Sequence, residues 1–319
     1  MAATAKDQKQ FVGIDVSKDR LDVHVHPHGE SFAAARDAGG IAELTARLKK
    51  LAPALVVMEA TGGFEAPVAA SLAEAGLPAA IVNPRQVHNF AKAMGKNAKT
   101  DRLDAIVIAR FAAAVRPDIR ALPDEQTQAL AALMTRRRQI CQMAVAERNR
   151  LPAAFSSKPM QRSIARIITA LESELARLDE DIDAMVKASP MWREKEELLT
   201  SVPGVGKIIA RTLLAEMPEL GALDRWQAAA LAGLAPYDRK SGKWRGKSMI
   251  SGGRAEPRAM LFLGAMAACR YNSELKIFAA RLLNGGKEKK VVIIAVARKL
   301  LTILNAIIRD KTPWQQQNT

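Results

Sequence analysis

The chain reads as an α/β domain followed by two mostly helical parts, an α/β plus all-α organisation. Three observations predict it. Apolar runs with strand character gather between residues 11 and 82 and alternate with helical stretches. From Pro123 onward the period-two signal gives way to long helical patterns. A length of 319 residues suits about two domains of roughly 150 residues each, and 49% hydrophobic residues are enough to fill real cores.

Phe11-Val12-Gly13-Ile14-Asp15-Val16 is an apolar run, Ser17-Lys18-Asp19 is turn material, and Leu21-Asp22-Val23-His24-Val25-His26 alternates with period two, so 11–34 reads as strands. A helix follows with Ile41, Leu44, Leu48 and Leu51 on one face. Ala54 to Met58 is a short buried strand closing on Glu59 and the turn Thr61-Gly62-Gly63. Residues 64–75 read as helix, Pro78 to Val82 as strand, and Lys99 to Val115 as an Ala- and Ile-rich helix. The order β-β-β-α-β-α-β-α implies a mixed sheet flanked by helices over residues 9–122.

Asp124 to Arg150 and Pro159 to Ala188 are two long helical patterns separated by Leu151-Pro152-Ala153. In the second, Ile164, Ile168, Leu171, Leu175, Leu178, Ile182 and Met185 step by four and three. That heptad seam packs either on the first helix or on another subunit, and it makes 123–196 a helical coiled-coil segment. The remainder, 197–319, is mostly helical and is broken by a Gly-rich basic stretch from 236 to 254. Its entry, Ser201-Val202-Pro203-Gly204-Val205-Gly206-Lys207, resembles the turn of a helix-hairpin-helix, in which Gly204, Gly206 and Lys207 meet a phosphate or merely pack two helices.

Charge narrows the partner. Lys plus Arg number 48 against 33 Asp plus Glu, a net +15. Residues 196–319 hold 20 basic and 10 acidic residues, so 20 − 10 = +10 of the +15 lies there. Seven basic residues fall between Arg239 and Arg258 against Glu256 alone, a cluster suited to displacing counterions from a phosphate backbone. The longest apolar run, Val291 to Ala297, falls short of the ~18 residues that span a bilayer. The start, MAATAKDQKQ, lacks the apolar core of a secretory signal, and the two cysteines, Cys141 and Cys269, cannot build a disulfide framework or a four-thiolate zinc site. A cytoplasmic, nucleoid-associated protein with no membrane partner is expected.

Four acids carry the chemistry. Asp15 lies inside an apolar strand, where a charge is costly without a partner. Glu59 ends the Val-rich strand, the end at which an α/β sheet commonly places its site. Asp101 and Asp104 are three apart on one helix and point the same way. Carboxylates from two strands and one helix suit hard divalent ions, and two such ions would stabilise the attacking and leaving oxygens of phosphodiester cleavage. Asp101 alone also reads as a first-turn acid favoured by the helix dipole. Glu65 and Asp22 read as surface acids nearby. His24, His26 and His28 alternate, but without a fourth ligand they are better read as structural or surface residues than as a zinc site.

GIDVSKDRLDV at 13–23, VMEATGGFE at 57–65 and NPRQVHNFAKAMGKNAKTDRLDAIVIARF at 83–111 resemble the DEDD transposases of bacterial insertion sequences, the IS-one-ten and IS-eleven-eleven class. The likeness continues through VPGVGKIIARTLLAEMPEL at 202–220 and LAGLAPYDRKSGKWRGKSMISGG at 231–253, covering essentially the whole chain. It implies an RNase H-like (RuvC-like) mixed-sheet domain at 9–122, with the family's metal-binding acids at Asp15, Glu59, Asp101 and Asp104. The ion would be magnesium, two per site, with manganese as the alternative. It also implies a strand-cutting serine in the carboxy-terminal domain, at Ser241, with Ser248 and Ser251 as rivals in the same stretch.

Chemically, Arg239, Lys240, Lys243, Arg245 and Lys247 would hold DNA and stabilise developing negative charge around Ser241, and Trp244 would stack on a base or pack locally. The serine would attack a phosphodiester, store the bond as phosphoserine and return it to a new strand, which fits the absence of a nucleotide-binding Gly-x4-Gly-Lys-Ser/Thr loop. A composite site, dimeric or tetrameric assembly, donor and target DNA, and an element-encoded non-coding guide RNA complete what the resemblance implies. Two other readings stay open: a RuvC-like junction nuclease that uses water in place of Ser241, and a nucleic-acid-binding protein whose acids are vestigial.

Overall fold

The computed structural model describes residues 9–95, 101–119, 124–154, 157–238, 240–241, 244–246 and 248–315, without the side chains of 101–103, 154, 240–241 and 244–245. The chain divides into two compact units, residues 1–122 and 123–319.

In the first unit, β1 (Phe11–Val16), β2 (Arg20–His26) and β3 (Glu30–Ala35) form an antiparallel meander. β4 (Leu55–Glu59) and β5 (Ala79–Val82) then add in parallel on the other side of β1, giving the order β3-β2-β1-β4-β5. β1 is central and covered on both faces, which is why it reads as a nearly unbroken apolar run. Helices α1 (Ala38–Leu51) and α2 (Ala66–Glu74) bury Leu44, Leu48, Val68 and Leu72 against Val12, Ile14 and Met58 on one face. The opposite face packs Phe11, Leu55 and Val57 against α3 (Pro84–Ala93) and α4 (Asp101–Val115) through Val87, Ile108 and Phe111. A mixed sheet between helices is compatible with an RNase H-like domain.

Helix α3 was not expected from the periodicity, because Val87 is its one buried residue. The signal lay at its start: Asn83 caps the helix by accepting from the Arg85 N–H, and Pro84 occupies the first turn.

The second unit begins with α5 (Glu125–Arg150), whose N-cap Asp124 accepts from the Thr127 N–H at 2.6 Å. After a short turn at Pro152–Ala154, α6 (Lys158–Ala188) packs along it. Ile164, Leu178 and Ile182 of the heptad seam are buried in this packing, and Arg137 of α5 forks onto Asp179 of α6 at 2.6 and 3.1 Å. The core continues through α7 (Pro190–Thr200), α8 (Lys207–Glu216), α9 (Arg225–Leu231), α10 (Ala255–Tyr271), α11 (Ser273–Asn284) and α12 (Lys289–Asp310).

Two expectations change here. Residues 289–310 are, by length and composition, a helix long and apolar enough to cross a membrane, although the sequence showed only a seven-residue unbroken run. Arg298 and Lys299 interrupt the run, yet the apolar residues around them keep the mean hydropathy at 2.2. In the fold, Val292, Val296, Leu300, Leu304 and Ile308 of this helix build the core of the second unit. The basic stretch is also not a plain loop. β6 (Pro236–Tyr237) pairs with β9 (Met249–Ile250), and inside them β7 (Lys240–Ser241) pairs with β8 (Trp244–Arg245). Two nested antiparallel pairs make a hairpin finger.

Candidate functional site

The first unit places its acids through the packing of one glycine. A Cβ on Gly13 would lie 2.3 Å from the Ala109 nitrogen and 2.4 Å from the Ala105 oxygen, so β1 touches the backbone of α4 there. Only glycine permits that approach. At the other end of the same strand face, the Arg116 guanidinium, just past the end of α4, stands 5.7 Å from the Phe11 ring. The helix therefore runs opposite to β1. Asp15, one pleat beyond Gly13, advances ~6–7 Å along the strand, and one turn back from Ala105 is ~5.4 Å, which brings the first turn of α4 alongside it.

The sheet register adds the second strand acid. Ile14 pairs in parallel with Met58, so Asp15 and Glu59 follow at the same level on adjacent strands. Both face α4, since Phe11, Leu55 and Val57 on the alternating positions lie in the α4-side core. Asp15, Glu59 and Asp104 are all half-buried, and each has polar or ionic partners. The backbone thus gathers Asp15, Glu59 and the start of α4 at one end of the sheet. Among the described residues, no three His, Cys, Asp or Glu side chains group closely enough to hold one ion. The Asp101 side chain lies outside the described residues. The donor set is purely carboxylate oxygen, which fits magnesium or manganese and disfavours softer metals.

Two acids that read as surface residues have other roles. Asp22 is the antiparallel partner of Asp15 and is only 8% exposed. Its Oδ1 accepts from Arg20 Nε at 3.1 Å and from a terminal guanidinium nitrogen at 2.8 Å. Three carboxylates therefore stand in a row on β2, β1 and β4, the outermost neutralised by arginine. The period-two alternation put Asp22 on the Asp15 face only once the strand pairing was known. His24 and His26 share that face, and His24 Nδ1 meets Ser31 Oγ at 2.7 Å; His28 lies in the following turn, so the three do not form a common strand face.

Glu65 organises the loop that leaves Glu59. Its Oε2 accepts from the Thr61 N–H at 3.0 Å, the Thr61 hydroxyl at 2.9 Å and the Gly63 N–H at 2.9 Å. Partial burial alone would raise its pKa, but the hydrogen bonds prevail and hold the carboxyl below its ordinary value of 4.5. A depressed carboxylate stabilises the fold above the unfolded pKa and loses that stabilisation as pH falls through the folded value. Glu65→Gln is expected to cost about 1 kcal/mol at neutral pH, the low end for charged hydrogen bonds because the group is only partly buried. In parallel thermal melts the gap to the parent should narrow as the pH falls below the ordinary carboxylate value of 4.5 and close once it passes the depressed folded value; a gap that stays constant with pH rules out the charge as its cause.

In the second unit, Ser241 sits on β7 opposite Trp244, one residue after Lys240, which pairs with Arg245. The side chains of all four lie outside the described residues, as do Arg239, Gly242, Lys243 and Lys247 entirely. Ser248 is occupied: its hydroxyl donates to Asp238 Oδ1. Two members of the basic cluster serve the fold. Arg254 forks onto Glu219 at 2.7 Å and reaches the Glu216 carbonyl at 2.6 Å, and Arg258 donates to the Gly252 carbonyl at 2.6 Å. They anchor the base of the finger rather than face outward.

The helix-hairpin-helix-like entry divides similarly. Gly204 has φ +104°, and a Cβ there would lie 2.6 Å from the Ala268 nitrogen, so this glycine packs onto α10. Gly206, the N-cap of α8, has open space around it and no side-chain cap. Lys207 extends toward Asp183 at 3.7 Å yet stays mostly exposed. Asp183 is held well below the usual carboxylate range by hydrogen bonds from Lys187 and the buried Arg211, which also donates to Glu196 at 2.6 Å. This ion network fixing α8 to α6 and α7 carried no sequence signal, since its members are up to 28 residues apart.

Comparison with known proteins assigns the chain. Residues 12–157 match a family model described as a transposase of the DEDD IS110 type, and residues 196–280 match one described as transposase IS116/IS110/IS902 family. A pilin gene-inverting protein of Moraxella bovis is 30% identical over 323 residues, 97% of this chain and 98% of the relative. The chain belongs to the IS110 family of transposases. A similarly named protein of Moraxella lacunata is as close. An IS900 insertion-element protein of Mycobacterium paratuberculosis is 29% identical over 52% of this chain and 43% of its own length. As an IS110-family transposase, the chain is a DNA recombinase, and the row of strand acids and the finger carrying Ser241 both fall inside the matched regions.

Proposed function

We propose that this transposase cuts and rejoins DNA strands with Asp15, Glu59, Asp101 and Asp104 holding magnesium and with Ser241 as nucleophile. The observation that carries the reading is the Gly13 contact, which sets the start of α4 beside Asp15 and Glu59. Magnesium on these oxygens would polarise the phosphodiester and stabilise charge on the attacking and leaving oxygens. The Ser241 Oγ–H loses its proton as Oγ bonds to phosphorus, and the P–O bond to the 3′ oxygen breaks to free a 3′ hydroxyl. The phosphoserine keeps the bond energy. Attack by another strand's 3′ hydroxyl then restores the phosphodiester and the serine, with no net hydrolysis.

The gene-inverting relatives support this, because inversion requires every cut to be rejoined. The finger's basic residues Lys240, Arg245 and their neighbours Arg239, Lys243 and Lys247 would track phosphates, and Gly206 and Lys207 would add a contact at the start of α8. An element-encoded guide RNA that pairs with donor and target DNA, and assembly into a dimer or tetramer, belong to the same proposal. The positive surplus of residues 196–319 supports the first. Association through the α5–α6 segment, the coiled-coil element of the sequence reading, would supply the second.

The test is covalent trapping. Incubating labelled donor DNA with the full chain and magnesium, then denaturing, should leave DNA attached to protein. Ser241→Ala should abolish the adduct while retaining DNA binding. Nicking that persists without an adduct supports the junction-nuclease reading instead.

A further inference from the structure

Away from the finger, the second unit presents an aromatic and cationic surface around α12. Trp226, the second residue of α9, is 58% exposed, although tryptophan is costly to leave in water. The Arg225 guanidinium lies 5.0 Å and the Arg298 guanidinium 4.8 Å from its ring. Next to it on α12, Lys299 Nζ stands 4.8 Å from the ring of Phe278 on α11, which Arg281 also approaches at 5.4 Å. Consecutive helical residues project about 100° apart, so Arg298 and Lys299 fan out along one ridge between α9 and α11.

Several basic residues of the unit are held by counter-charge. Arg137, Arg211 and Arg254 each pair with a carboxylate. Among the described residues, Arg225, Arg281, Arg298 and Lys299 pair with none. Cations stacked on rings and left without counter-charge leave an electropositive ridge around a largely exposed indole. A second copy of the chain meeting it through the same ridge would set these cations against one another, so self-association through this surface is disfavoured. A polyanion with flat apolar faces fits both features. Duplex DNA offers the charge but buries its bases in the stack; an unpaired strand offers both.

We infer that Trp226, flanked by Arg225 and Arg298, is a stacking platform for single-stranded DNA, with Lys299 and Arg281 tracking its phosphates. This rests on the reading that the chain cuts and rejoins DNA, since strand exchange is what exposes unpaired bases. The ridge is distinct from the serine finger, so its role is to hold a displaced strand rather than to break one.

The experiment measures anisotropy of labelled oligo-dT, oligo-U and a duplex with the full chain and with Trp226→Ala, Trp226→Phe and Lys299→Gln, each checked by circular dichroism and melting. Trp226→Ala should weaken oligo-dT binding about tenfold or more and leave duplex binding nearly unchanged, with Trp226→Phe restoring most of it. Lys299→Gln should lower the slope of log affinity against log salt by about 0.7, as for one lost single-strand phosphate contact. Unchanged oligo-dT binding by Trp226→Ala overturns the inference. So does an equal loss on duplex, a loss confined to oligo-U, or a change in sedimentation without a change in DNA binding. Adduct formation on donor DNA is scored in the same proteins. An adduct with unaltered oligo-dT binding refutes the platform alone, and absence of any adduct in the parent refutes the cut-and-rejoin reading.

Discussion

Asp15→Asn should reduce strand cleavage by at least about a thousandfold while leaving DNA affinity intact. The substitution keeps shape and most hydrogen-bonding capacity and removes the charge. Asp15 stands centrally, between Asp22 on β2 and Glu59 on β4 and beside the first turn of α4. A metal held by such oxygens contributes several kcal/mol of transition-state stabilisation, and each 1.36 kcal/mol is about a factor of ten in rate. Single-turnover cleavage at saturating magnesium, scored beside a binding titration, separates the two effects. Asp22→Asn is the internal control. Arg20 already neutralises that carboxylate, so its cleavage should stay within about tenfold of the parent. If Asp15→Asn cleaves as well as the Asp22 variant, the acids are not the site of chemistry.

Gly13→Ala should be the most damaging single methyl in the first unit. The added carbon meets the Ala109 nitrogen at 2.3 Å and the Ala105 oxygen at 2.4 Å. Both are backbone atoms of a helix, with no side chain that could swing aside. Either α4 moves outward, or the strand bends away from β4. Overpacking of this kind costs about 3 kcal/mol, which for a domain near 110 residues lowers the melting temperature by roughly 10 °C. The same displacement moves Asp101 and Asp104 away from Asp15, so residual folded protein should cleave poorly even at low temperature. A variant that melts with the parent and cleaves at full rate would show that α4 is not held by this contact.

Much of the first unit was visible in the residues. Unbroken apolar β1 and alternating β2 followed from period and composition, as did the helical faces of Ile41-Leu44-Leu48. Helix α3 carries little such signal, because it buries a single Val87 and so has almost no periodic face. Asp22 reads as a surface acid because alternation along one strand says which residues share a face, not which face a neighbouring element will cover; Glu65 lies in a loop, where no period says which backbone N–H groups its carboxylate will meet. In the second unit the long helices were plain, but the serine stretch read as a loop. Strands of two residues are too short for any periodic signal, and only their nested pairing makes them a finger.

The amino-acid sequence by itself determined the α/β-then-helical order, the basic surplus and the family. These are properties of residue type and spacing, carried whether or not the chain is folded. Tertiary structure alone decided which cations remain available for DNA. Arg254 and Arg258 lie in the densest basic run yet bind carboxylate and carbonyl partners, whereas Arg225 and Arg298, 73 residues apart, meet over Trp226. A charge acts on a ligand only when no nearer counter-charge holds it, and that neighbourhood is fixed by contacts between distant segments.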